Sequence, residues 1–340
     1  MKYSFRNDYS ELAHPRVLEA LTEQGTKQFE GYGLDECSAE AARMLADLIG
    51  KPEAEAHFIA GGTHANQVVT ASLLRPYEAV IACASGHIAM HEAGAIEATG
   101  HKVCATAGED GKISAVEIES IVLQHEDEHM VKPRLVYISQ SAETGTVYTK
   151  AQLTSISHSC RRNGLYLFID GARLGAAVCS AACDAGYSDI AELADVFYIG
   201  GTKNGALFGE AIVLTGRTPM PDFRYHLKQR GAMLAKGAAI AIQFRELFRD
   251  GLYDELAARA NSTAMMLAKG IEALGYSFSY PVQTNQIFPV FPVSAAEKLH
   301  SLYGFYDWEQ RGDSTAVRLI TSWATPAAAV EEFLYDLAAL

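Results

Sequence analysis

Short apolar runs alternate along this chain with longer stretches whose apolar residues recur at helical spacing, the pattern of strand–helix units around a largely parallel sheet. The runs predict seven strands, at residues 56–60, 79–83, 102–105, 134–139, 165–169, 195–199 and 210–214. The periodic stretches predict helices at 63–74, 88–99, 114–127 and 150–163, with another at 38–49 before the first strand. After about residue 220 the pattern changes. Two long helices, 233–248 and 253–274, flank Asp250-Gly251; strands follow at 278–280, 286–291 and 316–320, with helices at 295–303 and 327–340. The expected architecture is α/β: a large domain over 15–225 with a mainly parallel seven-stranded sheet, and a smaller α+β domain over 226–340. The first 14 residues are expected to pack at the site.

Composition narrows the partners. Lys and Arg total 28 against 41 Asp and Glu, a net charge of −13, which argues against a nucleic-acid backbone or an anionic membrane and requires any anion to be held by a local site. The six cysteines show no C-x-x-C pair, so reduced thiols in a cytoplasm are the expectation. The first residues lack an apolar signal core, and no apolar run is long enough to span a bilayer.

Polar groups cluster where such a sheet opens its crevice, at the carboxyl ends of strands. Gly61-Gly62-Thr63-His64-Ala65-Asn66 follows a strand and starts a helix. The glycines allow close backbone approach to an anion, the Thr63 hydroxyl can cap the helix and donate to phosphate, and the helix start offers free N–H groups. Strand–Gly-Gly–helix turns also arise for geometric reasons alone. Ser85-Gly86-His87 puts a flat imidazole at the same edge, with His91 and Glu92 a turn further on; a surface or cap histidine is the plainer reading. A His87/His91 pair lacks a third ligand, so no metal site is expected.

Ile169-Asp170-Gly171-Ala172-Arg173 and Gly200-Gly201-Thr202-Lys203-Asn204-Gly205 complete the set. A strand-end acid and a glycine-flanked lysine are what pyridoxal phosphate (PLP) chemistry requires. The lysine forms a Schiff base with the aldehyde and the acid keeps the pyridinium nitrogen protonated. A helix cap and a solvated loop lysine are the plainer readings, against which the flanking glycines suggest bulk excluded around an amine that meets a planar ring. Arg173 suits either the cofactor's phenolic oxygen or a substrate carboxylate.

In this order, together with Arg6-Asn7-Asp8, Tyr32-Gly33 and Val317-Arg318-Leu319-Ile320-Thr321, these motifs resemble the low-specificity L-threonine aldolases, in the β-eliminating-lyase branch of fold-type I (aspartate aminotransferase-like) PLP enzymes. The resemblance implies PLP covalently bound to Lys203, Asp170 as pyridinium partner, His87 as stacking ring, and Gly62 with Thr63 as phosphate cradle. It implies that Arg173 and Arg318 bind the amino-acid carboxylate, helped by Asn7. It also implies cleavage of a β-hydroxy-α-amino acid to glycine and an aldehyde. The alternative within the class is β-elimination, and a nucleotide-binding module or a scaffold protein are alternatives outside it. Fold-type I sites lie at a dimer interface, so a homodimer or homotetramer is implied, with Tyr32 and the segment 228–236 serving the partner's site. The family's second histidine is missing from Ser139-Gln140-Ser141-Ala142-Glu143-Thr144-Gly145. Glu143, His64 or His91 takes its place in proton transfer, or the substrate side chain differs. The family's arginine is also absent from Arg230-Gly231-Ala232-Met233-Leu234, leaving Lys228, Arg230 or Lys236 as replacements.

Overall fold

Successive residues of a strand face opposite sides of a sheet, and the apolar runs fill both sides. The computed structural model covers residues 1–340. In chain order its strands are β1 (Tyr3–Ser4), β2 (Glu55–Ile59), β3 (Glu78–Cys83), β4 (Val103–Thr106), β5 (Lys132–Ser139), β6 (Tyr166–Asp170), β7 (Val196–Gly200) and β8 (Glu210–Leu214). They continue with β9 (Gln286–Ile287), β10 (Val290–Pro292), β11 (Tyr303–Gly304), β12 (Tyr306–Arg311) and β13 (Ser314–Ile320). The seven expected strands form one sheet in the order β2-β8-β7-β6-β5-β3-β4. Only β8 runs antiparallel to its neighbours.

Val136, Ile138, Leu167, Ile169, Phe197 and Ile199 point into one apolar cluster, and Leu135, Tyr137, Phe168, Val196 and Tyr198 into the other. Both faces are covered, which explains why these strands read as continuous apolar runs. Because β8 is reversed, the carboxyl ends of β2, β3, β5, β6 and β7 open at one edge and only the start of β8, Glu210, joins them. That edge carries the site.

The third apolar cluster joins Phe5, Leu267, Ile271, Phe291, Val317, Leu319 and Phe333. Around it β13 pairs antiparallel with β10, β12 and β9, while β1 pairs parallel with β11. Tyr3 and Phe5 therefore pack with this cluster, whereas Ala13 joins the first. The helix Ala238–Phe248 instead buries Ile240, Phe244 and Leu247 in the first cluster with the large sheet. Leu252, Tyr253 and Leu256, at the start of the following helix Leu252–Ala273, join the same first cluster.

Elsewhere the structure departs from the sequence expectation in short elements. The helix expected at 88–99 breaks after His87–Met90, because Ala93 (φ 51°) and Gly94 (φ 74°) turn left-handed, and resumes only as the short turn Glu97–Thr99. Residues 278–280 form no strand, only a bridge from Phe278 to Pro289. Strands β1, β11 and β12 and the helices Pro15–Glu23, Leu174–Val178, Tyr187–Leu193 and Phe223–Gln229 were not expected, although Pro15–Glu23 sets Val17, Ala20 and Leu21 against the first cluster at helical spacing. No helix is long and apolar enough to cross a membrane.

Candidate active site

Register explains why Asp170 is held so firmly. Strands β5 and β6 pair Tyr137 with Phe168 and Ser139 with Asp170, and β6 and β7 pair Phe168 with Val196. Period-two alternation then sets Tyr137, Asp170 and Tyr198 on one face. Tyr137 Oη donates to Asp170 Oδ2 at 2.5 Å, and Tyr198 Oη donates to Oδ1. The Ala172 N–H donates to Oδ1 at 2.9 Å and Asn66 Nδ2 to Oδ2 at 3.3 Å. Burial, with Asp170 beside them, pushes both tyrosines well above their usual pKa, so they remain donors.

Asn66 also donates to Glu92 Oε1 at 2.7 Å, and His87 Nδ1 lies 2.8 Å from the same oxygen. Burial opposes protonation of His87, but Glu92, Glu143 and Asp170 outweigh it and raise its pKa. The three motifs at the ends of β2, β3 and β6 are thus one hydrogen-bonded system.

A cleft of about 590 Å³ opens against this system, lined by Asn7, His87, Glu143, Arg173, Lys203 and Arg318 among others. Lys203 follows β7, and its amine forms no ion pair; Asp8, the acid nearest in sequence to the cleft's Asn7, is engaged by Arg173. Burial and the charge of Arg173 lower the Lys203 pKa, against Asp8, Glu143 and Asp170. Arg318, on β13, has an unpartnered buried Nε. Its guanidinium carbon lies 5.3 Å from the Tyr306 ring centroid and 5.4 Å from that of Trp308. Glu143 is buried after β5, with Oε1 3.5 Å from Ser139 Oγ. Asn7 lines the cleft while its Oδ1 accepts from Tyr9 N and Ser10 Oγ.

Other sequence candidates fall elsewhere. Thr63 is exposed in the first turn of the helix Gly62–Leu73, and Gly61 at the N-cap receives no side-chain capping bond, so the expected Thr63 cap is absent. Gly62 has a steric reason of its own, since a Cβ there would lie 2.8 Å from Tyr198 Oη. His64 Nε2 is engaged with the Arg230 carbonyl at 2.9 Å, which removes it from the cleft. Tyr32, at φ 62°, lies outside the cleft, 44% exposed, with Lys228 Nζ 4.5 Å from its ring centroid. His91 lines the cleft, and burial, with His87 and Arg318, lowers its pKa against Glu143.

The glycines around Lys203 answer to the backbone. A Cβ on Gly200 would meet the Ala172 carbonyl, and one on Gly201 the Gly209 carbonyl. Close crossing of chain segments, not room for a planar ring, excludes bulk there.

The donor set fits PLP. A buried carboxylate held by four donors suits a pyridinium N–H, an unpaired, partly buried amine suits an aldehyde, and a half-buried imidazole stands beside them. A helix start without a capping side chain, at Gly61 and Gly62, suits a phosphate.

Residues 16–293 match the family model described as beta-eliminating lyase. A Pseudomonas aeruginosa protein named low specificity L-threonine aldolase is 32% identical over 327 residues, covering 95% of this chain and 93% of its own. A solved structure of Leishmania major threonine aldolase is 45% identical, with a TM-score of 0.97 and 98% of both chains covered. Thermus thermophilus aspartate aminotransferase shares the fold at a TM-score of 0.72, with 15% identity and coverage of 100% of this chain and 91% of its own.

Proposed function

This chain belongs to the beta-eliminating lyase family, and from that premise we infer that it cleaves a β-hydroxy-α-amino acid of the threonine, allo-threonine or phenylserine type to glycine and an aldehyde. The cofactor is PLP. The observation that carries the reading is a single cleft holding an unpaired, partly buried lysine, Lys203, and an arginine without an internal carboxylate partner, Arg318, beside the buried Asp170.

When bound, PLP supplies an aldehyde for amine condensation and a conjugated ring that accepts the electron pair of a bond broken at Cα. Lys203 is the amine that carries it. Its lowered pKa favours the neutral, nucleophilic form. Asp170 holds a proton on the ring nitrogen, and its four donors keep it an acceptor aimed at one place. The imidazole of His87, fixed by Glu92, would stack on the ring, and Gly62 with Thr63 would offer N–H groups to the phosphate.

Arg173 and Arg318, with Asn7, hold the substrate carboxylate and so orient the bonds at Cα. With PLP bound as the electron acceptor, Glu143 would take the β-hydroxyl proton as the Cα–Cβ bond breaks and the C–O bond becomes the aldehyde carbonyl. Uptake of one proton at Cα, equal in number to the one Glu143 would have taken from the hydroxyl, would complete glycine and leave the proton count unchanged. Glu143 is chosen over His64, which the Arg230 carbonyl engages, and over His91, which is more exposed.

A homo-oligomer, dimer or tetramer, is part of this reading. Exposed Tyr32, beside Lys228 and outside its own cleft, is available to a partner's site, and the buried, unpartnered Nε of Arg230 lies in the same segment. Six free cysteines accord with a cytoplasmic protein.

Products discriminate the reactions. Holoenzyme given threonine yields glycine and acetaldehyde on this reading; exclusive release of a 2-oxo acid and ammonia favours elimination and overturns it. Lys203→Ala is expected to abolish the yellow colour gained on incubation with PLP. A wild-type protein that stays colourless overturns the cofactor assignment.

A further inference from the structure

Asp8 takes no part in the reading above, yet it is 1% exposed at the border of the cleft. Its carboxylate grips Arg173 at two points, Nε to Oδ2 at 2.7 Å and Nη2 to Oδ1 at 3.0 Å. A guanidinium carries five N–H donors in a fixed fork. This pairing uses the Nε edge and leaves the Nη1 end free.

Asp8 is anchored in turn. Asn285 Nδ2 donates to its Oδ2 at 2.9 Å and to the Thr321 carbonyl at 2.8 Å. The Ile320 N–H donates to the Phe5 carbonyl at 2.8 Å. Ile320 and Thr321 are two and three residues beyond Arg318 on the same run of chain. The segment that carries Asp8 is therefore tied by its backbone to the strand of Arg318 and by its side chain to Arg173. One guanidinium is fixed by a buried carboxylate, and the other, between Tyr306 and Trp308, has none.

We propose that Asp8 is a positioning residue: acting through Arg173, it sets the distance and orientation between the Arg173 and Arg318 guanidinium groups and thereby the site's selection of an α-carboxylate. The inference rests on the assignment of these two arginines to the substrate carboxylate. Asp8 touches neither substrate nor cofactor. It fixes the face Arg173 presents, and it cancels one of two adjacent positive charges so that a single carboxylate balances the pair.

The test uses holoenzyme and two probes: glycine, and methylamine, its counterpart without a carboxylate. Binding constants come from the change in visible spectrum, and their ratio reports carboxylate selection alone. Asp8→Asn is expected to lower this ratio about tenfold, the scale of a misplaced hydrogen bond to a charged group. Methylamine binding stays unchanged, and KM for threonine rises more than kcat falls. A general loss of structure moves both probes together and overturns the proposal. In an Arg173→Lys background, Asp8→Asn is expected to add no further loss; an additive loss overturns action through Arg173.

If Asp8→Asn does not fold, Asn285→Ser, which removes the second donor to Asp8 Oδ2 and leaves only Arg173 Nε there, is expected to lower the ratio in the same direction by a smaller factor; an unchanged ratio overturns the proposal. Arg173→Lys and Arg318→Lys separate the two levels. A ratio lowered by both but not by Asp8→Asn removes the role of Asp8 and leaves the carboxylate assignment standing. A ratio unaffected by either arginine removes both.

Discussion

His87 Nδ1 lies 2.8 Å from Oε1 of Glu92, a carboxylate whose side chain has no exposed surface. Asn66 donates to that same oxygen and to Asp170. A ring at the end of one strand is thereby fixed relative to the acid at the end of another.

This contact carries a pH dependence. Burial lowers the His87 pKa, but the Glu92 hydrogen bond and the charges of Glu143, Asp170 and Glu92 leave it raised above 6.5. A group raised in the folded state stabilises fully below its unfolded pKa, and the gain is lost as pH rises through the folded value. Glu92→Gln is therefore expected to lower the melting temperature of the apoprotein most below about pH 6.5, with the gap narrowing at higher pH. Thermal scans across pH check this; a gap that widens toward alkaline pH contradicts it.

Lys203 behaves in the opposite sense. Burial and Arg173 lower its pKa below 10.5, against Asp8, Glu143 and Asp170. A buried ammonium held below its unfolded pKa destabilises the fold at neutral pH, and this cost disappears as pH rises past the unfolded value. Lys203→Met is expected to stabilise the apoprotein by on the order of 1 kcal/mol near neutral pH while abolishing activity. Denaturant titration at about pH 7 and about pH 10.5 measures it, with a smaller difference expected at the higher pH.

Much of this was legible in the chain. The seven strands of the large sheet were readable because both faces are buried, so that runs such as Val196–Gly200 are apolar throughout. The edge strand Tyr306–Arg311 was not, since nearly every residue on it is exposed and polar. Motifs and resemblance singled out Lys203, Asp170, His87 and Arg318 as candidates. Tyr137 and Tyr198 were missed because a tyrosine in an apolar strand reads as core, and only strand register reveals that its hydroxyl meets Asp170. Asp8 lay inside a quoted motif, but its Arg173 partner is 165 residues away and no local pattern encodes that pair. The glycines beside Lys203 were correctly singled out for a reason the packing replaces.

Gly62 and Gly61 offer a paired steric test. An added Cβ at Gly62 meets Tyr198 Oη at 2.8 Å, and the tyrosine, 1% exposed and bonded to Asp170, has nowhere to retreat. At Gly61 the Cβ meets nothing within 4 Å, and φ of −173° suits any residue. Gly62→Ala is expected to cost about 1–3 kcal/mol of stability, the usual penalty of overpacking, and to weaken PLP retention. Gly61→Ala is expected to remain within about 0.5 kcal/mol of wild type. Equal effects of the two in calorimetry and PLP titration would defeat the assignment.

Arg318 tests the carboxylate site from its exposed side. Its buried Nε has no partner, and burial with Arg173 nearby lowers its pKa, against Glu143 and Asp8. Such a charge contributes little to the fold, because no internal acid balances it and only ring faces flank it. Its worth appears when a carboxylate arrives. Arg318→Met is expected to leave the melting temperature unchanged or slightly raised, while kcat/KM for threonine falls about 10- to 100-fold, the range for losing charge-assisted hydrogen bonds. Arg318→Lys should restore charge but little activity, since a single ammonium lacks the planar fork that pairs with a carboxylate and stacks between rings. A lysine variant with wild-type KM would show that charge alone suffices there, and would remove geometry from the argument.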